Sequence, residues 1–126
     1  MSANMSMNIS VQATNIDLTD AIRDYIEKKL ASVEEKLIER PDALAQVEVG
    51  KTSAHHATGD IFRAETVLEL HDGKPKVVAV AERDDLFAAI DGMKDTLERE
   101  LVERKNKSRT LWRKGAGIVK DLLRES

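Results

Sequence analysis

Along this chain the spacing of apolar residues switches from every second position to about every 3.6 and back, and few folds accommodate that succession. Residues 7–12 alternate, with Ile9 and Val11 on one face, as a short strand does. Over 19–39, Ile22, Ile26, Leu30, Val33 and Leu37 recur at helical spacing. Thr19 is placed to cap that helix, and Asp20 and Asp24 suit its positive end. Pro41 ends it, because the residue before a proline is driven out of the α region. Alternation returns at 44–52, where Val47 and Val49 oppose Gln46 and Glu48. After a polar loop at 53–60, a longer strand at 61–71 sets Phe62, Ala64, Thr66, Leu68 and Leu70 against Arg63, Glu65 and Glu69. Asp72-Gly73 is a hairpin signal, and the valine-rich 76–82 is its partner strand, with Pro75 at the beginning, where a missing N–H costs least. Asp84-Asp85 caps a second helix, whose stripe of Leu86, Ile90, Met93, Leu97 and Leu101 runs to about Lys107.

The order β-α-β-β-β-α predicts an α+β domain with two helices packed on one face of a four-stranded sheet. If the first crossover joins parallel neighbours, it is right-handed. No internal repeat is visible. Residues 1–6 read as a flexible extension, 7–107 as the folded domain and 108–126 as a basic tail. In that tail Gly115 and Gly117 loosen the chain, and Ile118, Val119, Leu122 and Leu123 suit one short amphipathic helix, marginal on its own.

At 126 residues the chain is one domain's worth, and 34% charged residues suit neither a membrane protein nor a span of roughly 20 apolar residues. Cysteine is absent, which excludes disulfides, thiolate catalysis and cysteine metal sites and fits a reducing cytoplasm. The first seven residues lack the basic and apolar regions of a secretory signal. The net charge of −3 conceals a division. Residues 104–126 hold eight basic side chains against Asp121 and Glu125, a net of +6, leaving −9 on the rest. Such asymmetry suits a polyanion-binding arm, or else a solubilising end.

No catalytic constellation is present. His55 and His56 are loop neighbours and His71 ends a strand, so no pair has the i, i+4 spacing that offers two imidazoles to one metal. Asp84, Asp85 and Asp91 are explained as caps and first-turn acids. Nucleophile-elbow and phosphate-loop motifs are missing. The expectation is a non-enzyme with no cofactor and no metal. Arg99 and Lys28 lie far round their helices from the core and are solvated, while Arg23 and Lys29 flank the first stripe with their heads reaching outward.

The segment Glu82-Arg-Asp-Asp85-Leu-Phe87-Ala-Ala-Ile90-Asp91, with Leu97-Glu-Arg99-Glu-Leu101 and Lys105-Asn-Lys107 after it, resembles the second helix of the ribosome hibernation promoting factors, also known as ribosome-associated translation inhibitors or sigma-54 modulation proteins. Leu18-Thr19-Asp-Ala21-Ile22-Arg23-Asp-Tyr25-Ile26-Glu-Lys-Lys29-Leu30 is similar to that family's opening helix, and His56 through Gly59 to Phe62-Arg63 matches its middle. The likeness covers about residues 7–107. It implies a fold like a double-stranded-RNA-binding domain with an added strand. It also implies a bacterial, cytoplasmic factor that occupies the small ribosomal subunit, alone or in the 70S ribosome, in the channel for messenger RNA and the A- and P-site transfer RNAs. Translation would be blocked and the idle ribosome protected. No DNA and no membrane are involved, and a monomer is expected off the ribosome.

The family's basic helix positions match Arg23, Lys29, Arg99, Lys105 and Lys107, with phosphates of the 16S ribosomal RNA as their partners. Lys28 and Arg104 join them, and in the tail Arg109, Arg113 and Lys114 follow the RNA backbone while Trp112 stacks on a base or enters a protein crevice. Thr96, Glu100 and Glu103 stand where the family commonly has lysine, glutamine and lysine, so two acids oppose phosphate on that helix. Long members carry a further dimerisation domain, and 19 residues after Lys107 are too few for one, which suggests a short form. The alternative is a protein-binding modulator acting through the tail, as the older sigma-54 label suggests.

Overall fold

The computed structural model describes residues 7–38, 42–52 and 59–125, with side chains described as far as Asn106. Its elements are β1 (Asn8–Thr14), α1 (Asp20–Leu37), β2 (Leu44–Lys51), β3 (Phe62–Glu69), β4 (Val77–Arg83) and α2 (Leu86–Glu125). The expected extension at 1–6, Pro41, and the loop histidines His55 and His56 lie outside the described residues.

The sheet runs in the order β1-β2-β3-β4. β1 and β2 are parallel, with Val11 beside Val47, so α1 is the crossover between neighbours. β2, β3 and β4 are antiparallel, with Val47 beside Thr66 and Thr66 beside Ala79. β1 reaches Thr14, two residues past the expected end, because Gly50 opposite has no side chain; a Cβ there would run into the Thr14 carbonyl oxygen. Beyond it Asn15 turns the chain at φ 61. Between β3 and β4, His71 and Gly73 both take positive φ, and the Asp72 carboxylate accepts from Lys74 N at 3.1 Å. The hairpin forms as expected, with a longer turn than Asp-Gly alone provides.

Alternation decides which face is buried. Ala45, Val47, Val49, Ala64, Thr66, Leu68, Val77, Ala79 and Ala81 point into one core with both helices, while Gln46, Glu48, Val78 and Val80 face solvent. From α1 the core takes Ile22, Ile26, Leu30 and Val33, and from α2 Leu86, Ile90, Met93, Leu97 and Leu101. Thr66, fully buried, donates its hydroxyl to Met93 Sδ at 2.8 Å. The helix starts follow the expected caps: Ile22 N donates to Thr19 Oγ1 at 3.2 Å, and Ala88 N to Asp85 Oδ2 at 2.9 Å. Glu34 is buried and accepts from Met7 N at 2.8 Å, tying the start of β1 to α1.

The largest departure is in α2. The sequence places a loosening at Gly115 and Gly117 and a separate short helix after it, whereas the backbone is one helix to Glu125, 40 residues and about 60 Å long. Two glycines cost about 1 kcal/mol each in a helix interior, but a segment that continues an existing helix avoids the nucleation step that makes an isolated one marginal.

Candidate nucleic-acid interface

The basic side chains singled out in the sequence lie on both helices in different settings. Lys28 and Arg23 are exposed on α1. By helical geometry Lys28 is on the side away from the sheet, and Arg23 and Lys29 lie on opposite flanks of the apolar stripe. Lys29 is on the flank toward α2, its Nζ 3.2 Å from Asp91 Oδ1 and 5.1 Å from the centre of the Tyr25 ring. Tyr25 donates its hydroxyl to the same Asp91 oxygen at 2.6 Å and meets Phe87 edge-on, centroids 4.9 Å apart. Four side chains thus clamp the two helices together.

The charges in this clamp stabilise one another. The Tyr25 hydroxyl, aided by Lys29 and opposed by partial burial, holds the Asp91 carboxyl below its ordinary value of 3.8. The Asp91 hydrogen bond likewise raises Lys29 above 10.5 and Tyr25 above 10.0. Asp91 is therefore no first-turn acid, as the sequence suggests. Asp85 fills the capping role, and Asp91, most of two turns further on, is turned toward α1. A carboxyl with a lowered folded value stabilises above its ordinary value and loses that contribution as pH falls through the lowered one. The difference in melting temperature between wild type and Asp91→Asn is therefore expected to be largest near neutrality and to shrink below about pH 4 in an acid titration. A gap constant with pH would contradict the clamp.

Arg104 is committed within the fold. Its Nη2 lies 2.8 Å from both Asp72 carboxylate oxygens, Nη1 donates to the Pro75 carbonyl at 2.6 Å, and its side chain is 19% exposed. Partial burial pushes Asp72 up, yet the Arg104 guanidinium and the Lys74 N–H override it and hold the carboxyl below 3.8. This fork ties α2 to the β3–β4 turn, so Arg104 positions the helix.

Arg99 and Lys105 are exposed on α2. Asp95 and Glu103 lie four residues on either side of Arg99, one turn away on the same surface, so its field is tempered by two carboxylates. Glu100 is also exposed, and Thr96 is half-buried. Lys107, Arg109, Trp112, Arg113 and Lys114 all fall on the α2 backbone, with side chains outside the described residues.

The open face of the sheet has the other sign. Glu48, Glu65, Glu69 and Glu82 share it with Arg63 and Lys76, and Arg63 is held by Glu65 at 3.4 Å. At one end a cavity of about 360 Å³ is lined by Thr14, Asn15, Glu48, Lys51, Arg63 and Glu82, a mixed-charge hollow. The helices as far as residue 106 are close to charge balance, five acids to four bases on each, and the sheet's open face is acidic, so the attraction for a polyanion rests on individual helix cations and on the six basic residues that the sequence places after 106 against two acids. Among the described residues no group of three or more His, Asp or Glu is placed to hold a metal ion, and no helix is long and apolar enough to cross a membrane.

Sequence reasoning missed the clamp and the fork. Tyr25 and Asp91 are 66 residues apart and Arg104 and Asp72 are 32, and no local periodicity signals pairs at such distances.

An α+β domain of this element order matches a described class. Residues 9–109 fit the family described as Sigma 54 modulation protein / S30EA ribosomal protein. The chain belongs to that family. It is 33% identical over 101 residues to the ribosome hibernation promoting factor of Azotobacter vinelandii, covering 80% of this chain and 85% of that protein. It is 36% identical over 104 residues to the ribosome hibernation promotion factor of Staphylococcus aureus (strain COL), covering 82% of this chain and 50% of that one. Among solved structures, the N-terminal domain of Thermus thermophilus Protein Y superposes with a TM-score of 0.62 at 35% identity, covering 75% of this chain and 96% of that domain. A ribosomal subunit interface protein from Coxiella burnetii shares the fold, with a TM-score of 0.63 at 22% identity over 79% of this chain and 99% of that one.

Proposed function

We propose that this chain is a ribosome hibernation factor, a binding protein rather than a catalyst. It lays the solvent side of α1 and α2 against the 16S ribosomal RNA of the small subunit, free or within the 70S ribosome. The site is the channel for messenger RNA and the A- and P-site transfer RNAs, and occupation blocks translation and protects the idle particle in the bacterial cytoplasm. The observation that carries this reading is the family match over residues 9–109, joined to relatives named as hibernation promoting factors.

The basic excess of residues 104–126 supports it. Phosphate contacts by Lys and Arg dominate affinity for RNA, and RNA with tertiary shape is bound without base readout. Arg23, Lys28, Lys29, Arg99, Lys105 and Lys107 supply such contacts from the helices. Lys29 does so as part of its pair with Asp91, and Arg104 acts by fixing α2. With Asp95, Glu100 and Glu103 near Arg99, the end of α2 carries the greater share: Arg109, Arg113 and Lys114 on phosphates and Trp112 on a base.

A competition experiment tests the site. Small subunits preloaded with messenger RNA and P-site transfer RNA are expected to lose most of their capacity for this protein, and the protein in excess is expected to suppress initiation in a cell-free translation system. Undiminished binding to preloaded subunits would place the protein elsewhere on the particle.

A further inference from the structure

β4 is an edge of the sheet, and among the described residues no strand pairs with its outer side. Its residues 76–82 read Lys-Val-Val-Ala-Val-Ala-Glu. The odd positions Val77, Ala79 and Ala81 are buried in the core, while Lys76, Val78, Val80 and Glu82 stand on the open face. Val78 and Val80, 50% and 37% exposed, are large apolar side chains left in water. Exposed valine-rich edges are liable to pair with another strand, and proteins ordinarily guard them with proline, a bulge or repelling charge. Here Pro75 lies before the strand, and the two charges on its exposed row have opposite sign.

We propose that β4 pairs antiparallel with β4 of a second copy of this chain, with Ala79 on the twofold axis, joining two sheets into one of eight strands. In this register Lys76 lies opposite Glu82 of the second copy and Glu82 opposite its Lys76, while each Val78 meets a Val80. The row Lys-Val-Val-Glu is its own complement when read in reverse. Moving the axis to Val77 or Ala81 sets a valine against Lys76 or Glu82 and removes both charge pairs. A register of the other parity would place the helices of the two copies on opposite faces of the joined sheet. The contact is isologous and closes at two copies.

The charges are available for this pairing. Within the chain Lys76 reaches Glu69 only at 3.9 Å and Glu82 reaches Arg63 only at 4.0 Å, and the side chains of both Lys76 and Glu82 are 55% exposed. The pairing ends at Glu82, whose carbonyl already accepts from Arg83 Nη1 at 2.7 Å. A monomer at low concentration, as the sequence suggests, and a dimer at high concentration both follow.

Sedimentation equilibrium of the full chain from micromolar to millimolar concentration tests this. The wild type is expected to follow a monomer–dimer equilibrium. Lys76→Glu and Glu82→Lys, each of which creates two like-charge pairs, are expected to raise the dimer Kd by about tenfold. The double variant is expected to return it to within about threefold of wild type. Both positions are exposed, so circular dichroism should show an unchanged fold. A monomer at every concentration, or a dimer whose Kd the single swaps leave unmoved or the double swap fails to restore, would overturn the proposal.

Discussion

Reversing the charge at Arg23, Lys28, Arg99 and Lys105 together, each to Glu, is expected to weaken binding to small ribosomal subunits by about a thousandfold or more. The four side chains are exposed on α1 and α2, so the substitutions leave the core untouched. A net phosphate interaction contributes about 1 kcal/mol, so removing four of them costs about 4 kcal/mol, and each 1.4 kcal/mol is a factor of ten. The carboxylates add repulsion, so a thousandfold is a lower bound. The same variant should show a shallower dependence of affinity on salt, by about one unit of slope for each phosphate no longer neutralised. Unchanged affinity in filter binding, with an unchanged fold, would mean that the helices do not face RNA.

Leu97→Ala is expected to cost about 2–5 kcal/mol of folding stability and to lower the melting temperature by about 10 °C or more. Leu97 is 1% exposed in the α2 stripe, between Met93 and Leu101. Truncation leaves a cavity that fixed neighbours fill only in part. Because α2 carries two of the exposed cations, Arg99 and Lys105, and its alignment depends on this packing, ribosome affinity should fall at temperatures where the variant begins to unfold and stay normal well below. Differential scanning calorimetry and denaturant unfolding check it. A loss under about 1 kcal/mol would show that α2 is held by its Arg104 fork and its Asp91 clamp more than by its stripe.

What the chain reveals without coordinates is what repeats locally. The stripes from Ile22 to Val33 and from Leu86 to Leu101, the alternation around Thr66, and the caps Thr19 and Asp85 all rest on interactions within a few residues. Element order and the buried face follow from them. The extent of β1 depends on a missing side chain in a strand 36 residues away, at Gly50. The continuity of α2 reflects propagation from a helix already formed, which a reading of Gly115 and Gly117 in isolation does not capture. Of the basic residues, type and position were legible but engagement was not. Lys29 and Arg104 read like their neighbours in sequence, and only the tertiary contacts show one paired with Asp91 and the other with Asp72. That Asp95 and Glu103 flank Arg99 on one surface, by contrast, follows from their spacing on a helix alone.

The most direct test of ribosome binding through RNA phosphate is co-sedimentation of the full chain with vacant 70S ribosomes and with isolated small subunits over a series of salt concentrations. Binding to both particles is expected, with log affinity falling steeply and linearly with log salt, and with a slope lowered by about two to three when Arg109, Arg113 and Lys114 are replaced by Gln. Absence of binding at low salt, or binding indifferent to salt, would contradict it and direct the search to a protein partner of α2.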